Sequence, residues 1–300
     1  SIYLGNGAGI VATVSGTSIS YGTEVGFEST GAVRNSITFD SDSNKVVIAY
    51  RDGATDQGTG VVGTVSGTAI SYGTPVVFNA ATTTHISTTF DSNSNKVVIA
   101  YEDEGNSNYG TAIVGTVSGT AISYGTEGVF ESAETEYTAA TFDSTKNKVV
   151  IAYQDDANSD YGTVVVGTVS GTAISFDTPV VFETATTTYI GSVYDPNSNK
   201  VVIVYTDGGN SNYGTGVVFS VGGSNMTTSN FLGIADEAIS ASASGVIVVQ
   251  GGTSAKLTSL TIASNYYVQA DGTFGTSAST PSVKAGLATS ATALLLNGDS

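Results

Sequence analysis

The sequence predicts an all-β chain: a β-propeller-like array of four four-stranded repeats of ~52 residues, followed by a small C-terminal β domain. Three observations predict it. First, one sentence is written four times: "FDSDSNKVVIAYRDGATDQGTG" from Phe39, "FDSNSNKVVIAYEDEGNSNYGT" from Phe90, "FDSTKNKVVIAYQDDANSDYGT" from Phe142 and "YDPNSNKVVIVYTDGGNSNYGT" from Tyr194. Second, the period is constant. Val46, Val97, Val149 and Val201 open the apolar block at intervals of 51, 52 and 52 residues, and Val14, Val65, Val117 and Val169 open "VSGT" at the same intervals. Third, the composition suits tight-turned β structure: 37 glycines, 4 prolines and only 12% charged residues, about half the usual share.

Each repeat reads as four strands, taken here from the second copy. The first ends at Phe90-Asp91. "DSNSN" is a turn, because Asp, Ser and Asn bond their own backbone and tolerate left-handed conformations. The second strand is Lys96 to Glu102; five consecutive apolar residues there require cover on both faces, which makes this strand internal. "DEGNSNYG" is a loop. The third strand runs from Thr111 to Val117, and Ser118-Gly119 is a two-residue hairpin turn. The fourth begins at Thr120 through "AISYG", and the extended "TEGVF" leads into the next repeat. A β-solenoid is the rival architecture; its coils are usually ~20–30 residues and lack several hairpins per repeat.

The repeat domain is expected over residues 1–230 and the C-terminal β domain over 231–300. The opening segment "GIVATVSGTSISYG", Gly9 to Gly22, is a third-and-fourth-strand pair without a first and second. The last repeat has lost its own "SGTxISYG" hairpin, so the N-terminal hairpin is expected to complete it and close the ring. In the C-terminal domain "SNYYVQADGTFG" reads as two strands about an Asp271-Gly272 hairpin, with further strands in "GVIVVQGG" and "ATALLLNG". Leu294, Leu295 and Leu296 are too apolar a run for so small a domain to bury on both faces. One face is expected to pack on the repeats, a sister subunit or another protein, the alternative being the domain's own core.

The run "GIADEAI…GVIVVQGG…LTSLTIASNYYVQADGTFGTSASTPSVKAGLATSATALLL" resembles a module at the C-terminal part of tail-fibre and other virion structural proteins of marine and cyanobacterial bacteriophages. The "FDSNSNKVVIAYEDEGNSNYGTAIVGTVSGT" repeat is similar to repeats in such proteins, so the resemblance covers nearly the whole chain. It implies a tail fibre, spike or decoration appendage on the virion surface. It also implies other virion proteins as partners, a host surface glycan or protein as receptor, and a homo-oligomer, with a trimer as first expectation. The module usually carries Gly after "LTI", where this chain has Ala263; that departure weakens the expectation of a tight turn there.

Catalytic sets are not legible. The single histidine, His85 in "ATTTHIST", reads as a surface or strand-edge residue without a second metal ligand or a triad. Asp40, Asp91, Asp143 and Asp195 recur before the first hairpin turn, and four copies of a turn residue are not a unique active site. Their "FDSxSN" turn is loosely similar to the Asp-box turn of sialidase-type propellers, but only Arg34 and Arg51 exist to supply that family's arginine cluster. The chain is therefore expected not to be an enzyme. The acidic loops offer Asp103, Asp155 and Asp207 with Asn106, Asn158 and Asn210, hard oxygen ligands of the kind calcium takes. The competing reading is an Asx-capped loop without metal, and no other cofactor is expected. "GNGAG" from Gly5 to Gly9 lacks the Lys-Ser/Thr of a phosphate loop.

Net charge is -17, a surface that repels nucleic acid phosphates and anionic lipid, so neither is an expected partner. There are no cysteines, hence no disulfide and no thiolate metal site. The N-terminus shows no signal-peptide pattern, no apolar stretch approaches the ~20 residues that span a bilayer, and Ser1 leaves room for processing. The alternative to a virion component is a bacterial or archaeal cell-surface adhesin or filament subunit.

Overall fold

The computed structural model describes residues 6–222, 233–235, 247–249, 253–254, 257–268, 274–277 and 284–296. The chain divides into two bodies, Ser1–Val221 and Gly222–Ser300. The division between them lies at 221/222, just after the last repeat's third strand, and residues 223–232, where the boundary was expected, lie outside the described residues.

The N-terminal body opens with β1 (Gly7–Gly9), β2 (Ala12–Ser15), β3 (Ser18–Tyr21) and β4 (Val25–Glu28). Repeat 1 holds β5 (Ala32–Asp40), β6 (Lys45–Asp52), β7 (Gln57–Ser66) and β8 (Ala69–Tyr72). Repeat 2 holds β9 (Val76–Asp91), β10 (Lys96–Asp103), β11 (Tyr109–Ser118) and β12 (Ala121–Tyr124). Repeat 3 holds β13 (Gly128–Asp143), β14 (Lys148–Asp155), β15 (Tyr161–Ser170) and β16 (Ala173–Phe176). Repeat 4 holds β17 (Val180–Asp195), β18 (Lys200–Asp207) and β19 (Tyr213–Phe219). The body is all-β and propeller-like, built from antiparallel four-stranded units.

The fourth strand of each unit is composite. In repeat 2, β11 pairs through Gly115 to Ser118 with β12, and through Tyr109 to Ala112 with the first half of β13. The second half of β13 then pairs with β14 of the next repeat. The stretch read as a connector is thus one 16-residue strand shared by two units. Gly119, at φ 63°, is the first of the two hairpin residues, so the turn is Gly119-Thr120, one residue later than expected.

The second strands of repeats 2 and 3 are buried on both faces, as their apolar run predicts. Val97, Val98, Ile99, Ala100 and Tyr101 are all at 0% exposure. Alternate side chains serve opposite neighbours. Val47, Ala49 and Val62 of repeat 1 pack against Val97, Ile99, Tyr101 and Ile113 of repeat 2. Val98, Ala100 and Val114 pack against Val149, Ile151 and Tyr153. Val150 and Ala152 pack against Val201, Ile203 and Tyr205. Each large apolar side chain so buried contributes about 1.5–3 kcal/mol.

The expected closing of the ring by the N-terminal hairpin is not seen among the described residues. β2 and β3 pair with each other and β1 with β4, and among the described residues none of them pairs with β19. The reason is aromatic packing. Phe27 lies 5.2 Å from the Tyr50 ring and 5.4 Å from that of Tyr72, the same set that Phe78 makes with Tyr101 and Tyr124. The opening segment is docked on repeat 1 as the outer half of a preceding unit.

The C-terminal body holds β20 (Gly233–Ala235), β21 (Ile247–Val249), β22 (Thr253–Ser254), β23 (Asn265–Val268), β24 (Phe274–Gly275), β25 (Lys284–Ala288) and β26 (Leu294–Leu296). β23 and β24 pair as expected, while Asp271-Gly272 lies outside the described residues. Leu294 and Leu296 are fully buried with Tyr266, Ala285 and Ala288. Those two leucines fill the body's own core rather than an external contact. Ala263 sits at φ 62°, so the turn survives the absence of glycine.

Candidate functional site

Each repeat opens with a bulged, kinked strand. Two residues oppose one at Val33/Ser36, Ala100/Glu102, Glu136/Ala139 and Thr188/Gly191. At the kink the backbone is left-handed in all four repeats: Arg34 at φ 57°, His85 at 49°, Tyr137 at 50° and Tyr189 at 51°. Bulges of this kind usually place glycine there, since a side chain in that region costs roughly 1–2 kcal/mol. All four repeats carry a large polar or aromatic residue instead.

These side chains meet. The rings of His85 and Tyr137 are 5.2 Å apart, as are those of Tyr137 and Tyr189. Arg34 lies close enough to His85 to oppose its protonation. Side chains tie the successive strands across the kinks. Thr88 N donates to Ser36 Oγ at 2.9 Å, Tyr137 N to His85 Nδ1 at 2.9 Å, and Ala140 N to Ser87 Oγ at 2.9 Å. Thr138 Oγ1 donates to the His85 carbonyl. The column ends at Tyr189, 75% exposed.

His85 is thus not a free surface residue, though it stands on the half of β9 whose only strand partner among the described residues is β10. Burial, and then Arg34, push its pKa down to about 4. Nδ1 accepts the Tyr137 amide, so the ring is neutral with its proton on Nε2. That nitrogen faces Glu102 Oε2 at 3.7 Å and Glu136 Oε1 at 4.0 Å. Glu102 is 5% exposed; burial raises its pKa to about 7, opposed by Thr84 Oγ1, which donates to it, and reinforced by Glu104, Glu134 and Glu136. The cluster is a buried carboxyl group beside a neutral imidazole, and among the described residues no hydroxyl or thiol is hydrogen-bonded to the ring.

The acidic loops carry N-caps. Asp103 Oδ1 accepts from Gly105 N at 3.0 Å and from Asn79 Nδ2 at 2.9 Å. Asp155 Oδ1 accepts from Asn158 N at 3.2 Å, and Asp207 Oδ1 from Gly209 N at 2.9 Å and Asn210 N at 3.1 Å. Asn106, Asn158 and Asn210 close single 3₁₀ turns and are exposed. Backbone N–H groups are thus turned toward one oxygen, Oδ1, of each carboxylate. Among the described residues no three His, Cys, Asp or Glu side chains form a metal-holding group. Asp40, Asp91, Asp143 and Asp195 likewise accept backbone N–H groups two residues on, at 2.9–3.0 Å.

The sequence reading passed over the kink column. Its signal was present: Arg34, His85, Tyr137 and Tyr189 each stand five residues before the Phe/Tyr-Asp pair.

No protein-family profile matches the chain, and no curated protein matches it. Solved structures do. A leech intramolecular trans-sialidase with bound 2,7-anhydro-Neu5Ac is similar at TM-score 0.46 and 11% identity, over 72% of this chain and 42% of that one. The SapL1 lectin in complex with α-methyl fucoside is similar at TM-score 0.44 and 14% identity, over 74% of this chain and 79% of that one. The chain spans less than half the length of the trans-sialidase.

Proposed function

We propose that this chain is a structural component of a virion appendage, a tail fibre, spike or decoration protein, whose repeats recognise a host surface glycan or protein. One observation supports the recognition role above the rest. The repeats keep the same core and the same kinked backbone, yet write Arg, His, Tyr and Tyr at the kink, at a conformational cost that glycine would avoid. A scaffold that holds its fold constant and varies one aligned row of side chains is suited to recognition. The sequence resemblance supplies the virion setting, and assembly as a homotrimer belongs to the same proposal.

The experiment has two arms. Purified chain is applied to host cells and bound protein is measured for the parent, Tyr189→Gly and Arg34→Gly. Both variants are expected to melt at or above the parent's temperature and to bind at least about tenfold less, because Gly relieves the left-handed strain. Equal binding by all three sinks the recognition role. Mass spectrometry of purified virions is expected to find the chain. Recovery from cell envelopes and not from virions favours the cell-surface adhesin instead.

A further inference from the structure

One step of the kink row stands beside an unsatisfied buried acceptor. Glu136 and Gln154 oppose each other on β13 and β14, as Thr84 and Glu102 do on β9 and β10. In the earlier pair Thr84 Oγ1 donates to Glu102, so that carboxyl group has a partner. In the later pair Gln154 is only 4% exposed, and its buried Oε1 has no hydrogen-bond partner. Alternate residues of β14 face opposite neighbours. Val150 and Ala152 pack toward repeat 4, so Gln154, two residues further on, also faces repeat 4, on the side of the Tyr137–Tyr189 step. A buried carbonyl left in this state is costly, and a donor that reaches it is held.

The charge around that carbonyl is negative and unpaired. Glu136 Oε1 stands 4.0 Å from His85 Nε2. Burial, then Glu134 and Asp160, raises the Glu136 pKa, and Arg34 opposes the rise. Burial, then a hydrogen bond shared with Asp160 and the charges of Asp160, Glu134 and Glu136, pushes Asp156 up to about 6. Among the described residues no Lys or Arg forms a salt bridge with any of these carboxyl groups. Each of them gains from a cation brought alongside. A metal ion is the wrong cation, because His85 Nε2 holds its proton and no three side chains among the described residues are placed to hold one. An ammonium group fits: it brings positive charge and three N–H donors to a set of acceptors, and tyrosine faces attract it.

We propose that this step of the row binds a sugar unit bearing a free, protonated amine, that is, an amino sugar of a surface glycan. The proposal rests on the reading of the kink row as a recognition surface and names the chemistry of its ligand. The ammonium donates to Glu136 and to the Gln154 carbonyl, which turns toward it by rotation of the terminal amide, a change common on binding. The sugar ring lies against the exposed ring of Tyr189. A lysine side chain brings the same ammonium on a flexible stem and loses more conformational freedom when held, whereas a pyranose is rigid. Acidic sugars are repelled by the same carboxylates.

The test titrates the full chain, by calorimetry, with three β-1,4-linked tetrasaccharides that differ only at the second ring carbon: the tetramers of glucosamine, N-acetylglucosamine and glucose. The glucosamine tetramer is expected to bind saturably and at least about tenfold tighter than the other two. Glu136→Gln is expected to weaken it about tenfold and Gln154→Met about threefold, both with melting no lower than the parent's, since one removes like-charge repulsion and the other an orphaned acceptor. Tyr189→Gly is expected to weaken the tetramer about tenfold and to leave spermine, a polyamine without a ring, within about twofold. Three outcomes overturn the proposal. One is no saturable binding of the glucosamine tetramer up to ~1 mM. Another is equal binding of the three tetramers. The third is spermine bound as tightly as the tetramer with Glu136→Gln changing neither, which is general attraction to an acidic surface. The two readings fail separately. Loss of host-cell binding in Tyr189→Gly and Arg34→Gly without preference for the glucosamine tetramer removes the amino sugar and keeps the recognition role; unchanged host-cell binding in both variants removes the recognition role itself.

Discussion

Tyr124 and Phe176 occupy equivalent hairpin positions, and one atom on the facing strand separates them. A Cβ on Gly60 would lie 2.1 Å from the Tyr124 hydroxyl oxygen, and one on Gly9 would lie 2.0 Å from that of Tyr72. Where the facing residue is Ala112, the aromatic is Phe176 and the hydroxyl is gone. Gly60→Ala is expected to cost about 1–3 kcal/mol, and adding Tyr124→Phe is expected to recover most of it. A double-mutant cycle by chemical denaturation checks this; additive losses would refute the pairing. Ala263 carries strain of another kind, a side chain at φ 62°. Ala263→Gly is expected to stabilise the C-terminal body by about 1 kcal/mol, measured the same way. His85 and Glu102 carry opposite pH signs. His85 titrates at about 4 in the fold against 6.5 ordinarily, so its contribution is lost as pH falls from 6.5 through 4. Glu102 titrates at about 7 against 4.5, so its contribution is lost as pH rises from 4.5 through 7. Relative to His85→Tyr, the parent's stability should rise across pH 4 to 6.5. Relative to Glu102→Gln, it should fall across pH 4.5 to 7. Each difference is expected near 1 kcal/mol once solvent screening is allowed for. Denaturation midpoints at several pH values measure both; a flat difference for either variant refutes its assignment.

At the scale of the element, position in the array decides what a strand must be. Ile99 lies at 0% exposure between two neighbours, while Val204, in the second strand of the last repeat, is 51% exposed. Ile99→Asp is expected to cost more than about 4 kcal/mol and to abolish the cooperative transition, because an unpaired charge replaces a buried side chain. Val204→Asp is expected to stay within about 0.5 kcal/mol. The hairpins follow the same logic. A Cβ on Gly22, Gly73 or Gly125 would lie 1.9 Å from the carbonyl oxygen of Thr68, Thr120 or Thr172 in the following hairpin. The fourth equivalent is Asp177, and the sequence after it writes no further hairpin of this type. The acidic loops between second and third strands close on their own N–H groups. Chelation with EGTA is therefore expected to leave the melting temperature unchanged, and a fall would restore the calcium reading.

For the whole molecule, the two bodies hold separate cores. Residues 1–222 expressed alone are expected to keep their β-sheet circular dichroism and to melt within a few degrees of the full chain; collapse on truncation would show that the bodies depend on each other. Much of the N-terminal body was legible in the sequence. A five-residue apolar run favours cover on both sides, so "VVIAY" was readable as an internal strand, although Val204 of the last copy stays half exposed, and "DSNSN" and "SGT" were readable as turns. The repeat period then determined how many units stand in the array. What the sequence did not determine lies where contacts cross repeats. Fusing a fourth strand to the next first strand depends on two separate partners, β11 and β14, for the two halves of β13. The left-handed backbone at Arg34, His85, Tyr137 and Tyr189 depends on a bulge opposite Tyr50, Tyr101, Tyr153 and Tyr205. No local preference of Arg, His or Tyr announces that conformation, so only the packed sheet could place the four in one column. The opening hairpin was readable as a pair of strands, but the dock of the opening segment on repeat 1 was decided by the Phe27 ring of β4 finding Tyr50 and Tyr72, a contact between residues more than twenty positions apart in the chain.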